Sequence, residues 1–546
     1  MKASDLFLHC LQAQGVKSMY GVPGEENADI MISLLDSPIE FISTRHEQTA
    51  AFMAEMHGRL TGIPGVCLAT LGPGATNMIT GVAQANMDNA PLVAIIGQAD
   101  SHRLHKESHQ NMDAVSMYKS VTKWSTTIRD PNVIPEVIAK AFKIATSGIP
   151  GAVLIELPED LAKEDTQAQV LKPFQHALDI GTTPGQIDNA LKLLAQSKKP
   201  ILLLGDGAVR HECDSELKTF LDKTQLYSAH TFMGKGAVSN LYERSLHCVG
   251  LGMKDVVINT FEESDCVICI GYDMVEYPPA RWNIGKEKKI IYINADIAEV
   301  DQDFVPDVEM VGNMNTILQQ INARLDNSHL KKDPYFASMQ KAIQQDVRDG
   351  NDDPSFPMKP KRILADIRST LRDQDILVSD VGAHKMWVAR QYGARQSKTC
   401  FISNGFCSMG GSMPGALEAK RLHPEKQVVA VCGDGGFMMS IQALVTGVQL
   451  KVPFVTVLWE DDHYGLIKWK QEMHYETCSH VDLQNPDLQK LAEAYGCHSV
   501  RIENTDDFTA ELQKALRIQD RPSVIVVPVD YSENMKLFHH LHEAVK

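Results

Sequence analysis

The sequence predicts an α/β fold made of three doubly wound parallel-sheet domains. Short apolar runs typical of buried strands, such as QVVAVC and PFVTVLW, alternate with helical segments from one end of the chain to the other. Strands that alternate with helices assemble into parallel sheets covered by helices. The length of 546 residues exceeds a single core, since domains average ~150 residues. Two polar connections containing proline divide the alternation into three units.

The predicted units are bounded by clear first and last elements. The first opens with the helix KASDLFLHCLQAQG, which ends at Gly15, and closes with the strand in GAVLIELPED. The second begins at KKPILLLGDGAV, and the third runs from DILVSDVG to PSVIVVPVDY. A short tail follows with His539, His540 and His542, for which a solvated end is a simpler interpretation than a metal tract. We therefore predict domains at 1–165, 186–326 and 360–532, and a tail at 533–546.

Composition excludes several classes of protein. A net charge of −16 disfavours a nucleic-acid partner, because phosphates repel an acidic surface. No run approaches the ~18 apolar residues of a membrane span, and Asp5 and His9 interrupt the only apolar stretch at the N-terminus. The eleven cysteines are odd in number and scattered, which favours a reducing cytoplasm. Cys266 and Cys269 form a CxxC, but within a strand they face opposite sides, so we predict no redox or metal role.

Two acidic strand ends predict a magnesium and diphosphate site. The strand QVVAVC leads into Gly433, Asp434, Gly435 and Gly436, and the strand PFVTVLW leads into Glu460-Asp461. The carboxyl ends of parallel strands lie at one edge, so Asp434 and Asp461 should face each other. Glycine lets backbone N–H groups approach a phosphate, and Mg²⁺ prefers hard oxygen ligands beside phosphate.

A second GDG serves as an internal comparison. Gly205-Asp206-Gly207 also follows an apolar run. The residue 27 positions after Asp434 is Asp461, whereas the residue 27 positions after Asp206 is Met233, which is no hard ligand. We therefore interpret the second GDG as a structural turn in the middle unit.

The first GDG and its acidic partner resemble the coenzyme motif of the thiamine diphosphate (ThDP) enzymes. The family usually has Asn where this chain has Asp461. The resemblance implies three magnesium ligands: the side chains of Asp434 and Asp461 and the main-chain carbonyl of His463. DVGAHKMW and LGPGATN resemble two further coenzyme loops. The implied coenzyme contacts from these segments are Pro73, Asn77, Gly382, Ala383, His384, Gly433, Gly435, Gly436, Tyr464, Gly465 and Leu466.

RHE followed by an alanine-rich helix resembles the segment that carries the family's catalytic glutamate. A glutamate that begins a helix is otherwise an end residue favoured by the helix dipole. The resemblance implies that Glu47 hydrogen-bonds the coenzyme's aminopyrimidine, whose imino form then takes the proton from thiazolium C2. ISNGFCSMGG resembles ISNGxxTMG, which implies that Met409 wedges between the coenzyme rings and that the Cys407 main chain contacts the pyrimidine. A core position is the alternative for any single Met.

The resemblance extends from YGVPGEENADI to VIVVPVDY and is greatest for the acetolactate synthases. It implies that Gln110 is a catalytic residue reaching the site from a neighbouring chain, and that His109 beside it contacts substrate or lies on the surface. Trp469 would gate the acceptor, with a core position as its alternative. Arg281 would anchor an acceptor carboxylate, with a surface ion pair as its alternative.

The family also implies cofactors and assembly. Glu47 and Asp434 lie in different units, which in this family come from different subunits, so a homodimer or homotetramer with the site at the interface is expected. GYDMVEYPPARWN lacks the GARFDDR-like pattern of the FAD-containing synthases and resembles the catabolic, FAD-free type. We expect ThDP and Mg²⁺ but no FAD.

The implied activity is a carboligation of small 2-oxo acids. Pyruvate would be decarboxylated and its two-carbon fragment joined to a second pyruvate, giving 2-acetolactate and CO₂. Alternatives are another ThDP carboligase or lyase, such as a sulfoacetaldehyde acetyltransferase or benzaldehyde lyase type, an FAD-linked pyruvate oxidase, or a degenerate paralogue kept for assembly. A Rossmann dehydrogenase is excluded, because no GxGxxG follows the first strand.

Overall fold

The computed structural model describes residues 1–173, 180–251, 256–325, 334–534 and 537. It contains three six-stranded sheets in which every paired strand is parallel, as the sequence predicts. The histidines of the predicted tail, His539, His540 and His542, lie outside the described residues. Within the described part of the chain, no helix combines the length and apolar character needed to cross a membrane.

The first sheet has the strand order β2-β1-β3-β4-β6-β5. Its strands are β1 (Ser18–Gly21), β2 (Glu40–Ser43), β3 (Gly65–Ala69), β4 (Leu92–Gln98), β5 (Trp124–Thr127) and β6 (Ala152–Pro158). The helices of this unit are α1 (Ala3–Ala13), α2 (Ala28–Ser33), α3 (Glu47–Thr61), α4 (Pro73–Met87), α5 (Ala114–Tyr118), α6 (Ile134–Thr146) and α7 (Glu159–Lys163). Strands β3, β4 and β6 are buried along their whole length, which is typical of parallel strands covered on both faces.

The second sheet has the order β12-β11-β10-β7-β8-β9, the arrangement of a dinucleotide-binding fold. Its strands are β7 (Pro200–Leu204), β8 (Tyr227–His230), β9 (Ser245–Cys248), β10 (Cys266–Ile270), β11 (Lys289–Asn294) and β12 (Val308–Val311). Its helices are α8 (Pro184–Gln196), α9 (Asp206–Arg210), α10 (Asp214–Thr224), α11 (Val256–Glu263) and α12 (Met314–Arg324), and α13 (Pro334–Arg348) leads to the third unit.

The third sheet has the order β14-β13-β15-β16-β18-β17. Its strands are β13 (Ile376–Ser379), β14 (Cys400–Ile402), β15 (Val428–Gly433), β16 (Val455–Glu460), β17 (His498–Arg501) and β18 (Ser523–Pro528). Its helices are α14 (Pro360–Thr370), α15 (Ala383–Gln391), α16 (Ser412–Leu422), α17 (Asp434–Ser440), α18 (Gln442–Leu450), α19 (Gly465–Tyr475), α20 (Leu488–Ala494) and α21 (Phe508–Ala515). Numbered within their own units, the first and third sheets have the same strand order.

Six 3₁₀ turns complete the described elements. They are Glu25–Asn27, Leu34–Asp36, Ser101–Arg103, Pro131–Val133, Pro279–Arg281 and Thr505–Asp507.

Helices α3, α4 and α16 join the first and third units through one continuous core. A Cβ on Gly81 of α4 would lie 2.5 Å from the Ala51 Cβ of α3, so these two helices pack at close range because Gly81 has no side chain. The Tyr20 hydroxyl donates to Glu418 on α16 at 2.5 Å, across the two units. The two units are therefore fixed against each other within one chain.

The second GDG is packed against backbone. A Cβ on Gly205 would lie 2.4 Å from the Gly271 carbonyl oxygen, so only glycine fits there. Asp206 is buried and pairs with Arg210 one turn further along α9. Cys266 and Cys269 are free thiols, and both are buried within β10.

Candidate active site

A cavity of about 230 Å³ lies at the carboxyl edge of the third sheet. It is lined by residues that the sequence assigned to the coenzyme from four separate segments. These residues are Gly382, Ala383, His384, Cys407, Met409, Gly433, Asp434, Gly435, Gly436, Asp461, His463, Tyr464, Gly465 and Leu466. Residues up to 84 positions apart in the chain, Gly382 and Leu466, therefore meet because their strands end at one sheet edge.

A buried and a half-buried carboxylate, Asp434 and Asp461, both line this cavity. Asp434 begins α17 directly after β15, and Asp461 directly follows β16, the neighbouring strand. Burial and then the Asp434 charge raise the pKa of Asp461 to about 7. Burial also raises the pKa of Asp434. Two such groups suit a divalent cation, whose charge would restore the ionised forms that burial disfavours.

The Asp434 carboxylate is held by hydrogen bonds from two loops, one directly after β16 and one between α19 and α20. Its Oδ2 accepts from the Asp462 backbone N–H and from the Asn485 amide, both at 2.8 Å. Asn485 also donates to Asp462 at 2.8 Å. The His463 ring lies 3.1 Å from Asp482 and 2.7 Å from the Lys468 ammonium. Both contacts involve Nε2, and Nδ1 contacts the Asp461 backbone carbonyl, so the main-chain carbonyl is the His463 group suited to a cation.

The rest of the cavity suits a diphosphate. His384 is buried, and its Nε2 has no hydrogen-bond partner among the described residues. Burial lowers the pKa of His384 to about 4, so the ring is neutral near pH 7. A Cβ on Gly435 would lie 3.0 Å from the Tyr464 ring and 3.2 Å from the Met409 methyl carbon, so glycine keeps the cavity open there.

The loop that carries Met409 is anchored by a buried carboxylate. Asp380 accepts from the backbone N–H groups of Gly410 at 2.8 Å and Ser412 at 3.0 Å. Cys407 has a left-handed backbone with φ of 62°, and its sulfur lies 3.2 Å from the Lys385 ammonium. These contacts place Met409 at the cavity wall beside Gly435.

Glu47 lies in a different cluster, in the first unit. It begins α3 and is 8% exposed, and its carboxylate accepts from the Asn77 amide at 3.0 Å. A Cβ on Gly74, next to Pro73, would lie 3.3 Å from the same carboxylate. The backbone of Gln110 approaches Gly72, where an added Cβ would lie 2.8 Å from the Gln110 carbonyl oxygen. The predicted residues of the first unit are thus together, with Pro73, Asn77 and Gln110 exposed.

The two clusters are separate within one chain. Among the described residues, those lining the cavity all belong to the third unit, and Glu47 is not among them. Apolar side chains are exposed on the cavity-side elements, with Met439 at 44% and Ile467 at 49% exposure. Single apolar side chains on a surface are ordinary.

Three predicted substrate contacts lie elsewhere. Trp469 is buried in the core of the third unit and borders a neighbouring cavity that also touches Asp461 and Gly465. His109 is exposed on a loop, with its carbonyl 3.4 Å from the Arg103 guanidinium. Arg281 is exposed at the end of a 3₁₀ turn in the central unit, outside the cavity lining.

Four residues at the cavity were not predicted. Val381, Ile467 and Tyr531 line it, and Asn485 supports Asp434 from outside. Tyr531 follows the end of β18, which pairs with β16, so the same strand-edge reasoning was sufficient to find it. Asn485 lies on an irregular loop, and no local pattern marks it.

Comparison with known proteins identifies the family of the whole chain. Residues 1–117 match the thiamine pyrophosphate enzyme N-terminal TPP binding domain, residues 187–321 the central domain, and residues 380–527 the C-terminal TPP binding domain. An acetolactate synthase of Bacillus subtilis is 33% identical, covering 98% of this chain and 94% of its own. A catabolic acetolactate synthase of Raoultella terrigena is 34% identical, covering 99% and 97%. An Escherichia coli acetolactate synthase isozyme 2 large subunit is 30% identical, covering 98% and 97%.

The cavity suits a metal-bound diphosphate, and the family models and full-length relatives are consistent with that interpretation. The chain belongs to the thiamine pyrophosphate enzyme family, in its acetolactate synthase group.

Proposed function

We propose that the chain forms 2-acetolactate and CO₂ from two molecules of pyruvate. The observation that carries the proposal is the cavity at the third sheet edge, whose lining includes the carboxylates of Asp434 and Asp461 and a histidine nitrogen without a partner among the described residues. The relatives named as acetolactate synthases cover nearly the whole chain, which does not favour the alternative lyases or an oxidase. When bound, thiamine pyrophosphate supplies the electron sink for decarboxylation of a 2-oxo acid.

We propose that Mg²⁺ links the protein to the diphosphate. Asp434, Asp461 and the His463 carbonyl would supply three oxygen ligands, and the diphosphate would supply others, as hard cations prefer. The raised pKa of Asp461, about 7, supports this donor set, because a buried carboxylate pair without a cation is costly. His384 would contact the diphosphate from the side of the nitrogen that has no protein partner among the described residues.

Glu47 would act as the proton-handling group for a second copy of the chain. Its cluster lies outside the lining of its own cavity, so a two-fold dimer is the simplest arrangement that completes both sites. Gln110 would reach the substrate from the same side as Glu47, since both border the loop at Gly72 and Gly74. A homodimer or homotetramer is therefore part of the proposal.

The remaining assignments extend the same proposal. Units 1–165, 186–326 and 360–532 would be the pyrimidine-binding, central and diphosphate-binding domains, and 533–546 a tail. FAD would not be required, because GYDMVEYPPARWN lacks the FAD-contact pattern. A cytoplasmic location is supported by the eleven cysteines, all of them free thiols.

The test supplies pyruvate, thiamine pyrophosphate and Mg²⁺ without FAD, then assays for acetoin after acid treatment. Acetoin that requires acid indicates acetolactate. Acetaldehyde alone would indicate a simple decarboxylase, and reduction of a dye acceptor would indicate an oxidase, so either result would reject the proposal. Glu47→Gln should lower turnover roughly 100- to 10,000-fold with coenzyme binding retained. Glu136→Gln, on exposed α6, is the matched control and should be unchanged.

A further inference from the structure

A second cavity, of about 400 Å³, lies between the central and third units. It is bordered by the loop before β9, by β9 itself, by α13 and α14, and by the loop after α15. Its volume is in the range of small-molecule pockets, roughly 300–1,000 Å³. It shares no lining residue with the candidate coenzyme cavity.

The charge of this cavity is opposite to that of the chain. Arg348, Arg368 and Arg395 line it, and no Asp or Glu is among its described lining residues, although the chain carries a net charge of −16. Arg395 pairs with Asp373 at 2.7 Å. Arg368 donates to two backbone carbonyls and to the Tyr392 hydroxyl, so in the described part of the chain its charge has no carboxylate partner. Arg348 is exposed and likewise has none.

Two buried amides on the cavity wall offer free acceptor oxygens. The NH₂ group of the Gln391 amide donates to Asp346 at 3.4 Å, and the carbonyl oxygen of the amide takes no part in this bond. That oxygen is buried and has no partner among the described residues, while Gln391 itself is 7% exposed. An unpaired buried acceptor costs free energy unless a ligand or water satisfies it.

The second amide with an unpaired oxygen is Asn240, which belongs to the central unit. The His230 ring hydrogen-bonds the Thr231 carbonyl through Nδ1, so its Nε2 is an acceptor and contacts the Asn240 amine at 3.4 Å. The Asn240 oxygen is left buried without a partner among the described residues.

Nearby His247 adds a third unpaired group on a strained backbone. Its φ is 57°, in the left-handed region, and its buried Nδ1 has no partner among the described residues. Strain of this kind is often found where a ligand binds. Burial lowers the pKa of His247 to about 3, so the ring adds a hydrogen-bonding group and no charge.

We propose that this cavity binds a small anion that also carries hydroxyl or amino donors. The arginines would pair with its carboxylate or phosphate, since a guanidinium matches both groups. The donors would satisfy the oxygens of Asn240 and Gln391. The site is separate from the coenzyme cavity and takes a different class of ligand from the 2-oxo acid substrate, which has no hydroxyl or amino donor.

The test titrates the coenzyme-saturated holoenzyme by calorimetry with three probes, so that the coenzyme cavity is already filled. Glycerol 3-phosphate and glycerate each have two hydroxyls and differ in the anionic group. Sulfate is an anion without donors at neutral pH. One saturable site per chain is expected, with either hydroxylated probe bound at least about tenfold more tightly than sulfate. The tighter of the two identifies phosphate or carboxylate as the anion.

Two variants test the location of binding. Arg348→Gln removes an exposed charge, and Gly393→Val adds a side chain where a Cβ has only the Asn240 Cβ near it, at 3.9 Å. Each variant should weaken binding of the tighter-binding probe at least about tenfold, whereas the exposed control Arg517→Gln should not. Pyruvate turnover without probe should be unchanged in all three variants.

The proposal is overturned by an absence of saturable heat at about 10 mM of every probe. It is also overturned by equal affinity for sulfate and the hydroxylated probes, or by equal weakening in Arg517→Gln. Because the readout is binding, it is independent of whether acetolactate is the product.

Discussion

The separation of Glu47 from the cavity predicts that subunits carrying different lesions complement each other. Glu47→Gln removes the group of the first unit, and Asp434→Ala removes a proposed metal ligand of the third unit. Each homo-oligomer should have almost no activity. In a heterodimer of the two variants, one site receives both lesions and the other receives neither, if each site draws Glu47 from one chain and Asp434 from the other.

The geometry fixes the magnitude of this effect. A purified heterodimer with one intact site of two should have about half of wild-type turnover. The crossed control pairs a wild-type chain with a chain that carries both lesions. Under shared sites each of its sites has one lesion and activity should be nearly absent. Under sites contained within one chain, the wild-type chain would keep its own site and about half of the activity.

The assay uses heterodimers that carry two affinity tags, purified in sequence, with acetoin measured after acid treatment. The two pairings have opposite expected results, so poor folding of one variant cannot imitate both. An active crossed control together with an inactive complementing pair would refute the shared site.

Three further changes test the support around the site. Asn485→Ala should weaken Mg²⁺ binding roughly 10- to 100-fold, because it removes a donor to Asp434, with turnover regained at high Mg²⁺. Gly81→Val should lower the free energy of unfolding by about 1–3 kcal/mol, because a Cβ at this position would lie 2.5 Å from the Ala51 Cβ. A lower melting temperature in a thermal melt would show this loss. Burial raises the pKa of Glu55 to about 8, so folded protein holds a proton that unfolded protein releases above about pH 4.5. The free energy of unfolding of the wild type should therefore fall as the pH rises from 5 to 8. Glu55→Gln should make this fall smaller in thermal melts over that range. An equal pH dependence of the two proteins would contradict the prediction.

Positions at strand ends could be predicted from the sequence because parallel strands align their carboxyl ends. Asp434 and Asp461 lie 27 residues apart in the chain, and the pairing of β15 with β16 brings both to one cavity. The same counting separated the GDG that lines the cavity from Gly205-Asp206-Gly207, whose glycines instead allow close backbone packing.

Positions on irregular segments could not be predicted. Asn485 reaches Asp434 from a loop 51 residues later, and its orientation depends on two tertiary hydrogen bonds. The position of Trp469 could not be predicted for a different reason. Its side chain lies in a hydrophobic core, and residue type alone does not distinguish a core tryptophan from one that lines a channel. The separation of Glu47 from the cavity likewise follows from how whole units pack.

The first and third sheets share one strand order, but the segments that follow equivalent strands carry different residues. The loop after β2 carries Glu47, whereas the loop after its counterpart β14 carries Met409. The loop after β3 carries Pro73, whereas the loop after its counterpart β15 carries Asp434. Equivalent strand ends of the two units therefore present different side chains on one shared strand order. Exchange of equivalent loops between the halves is accordingly a direct route to engineering this scaffold.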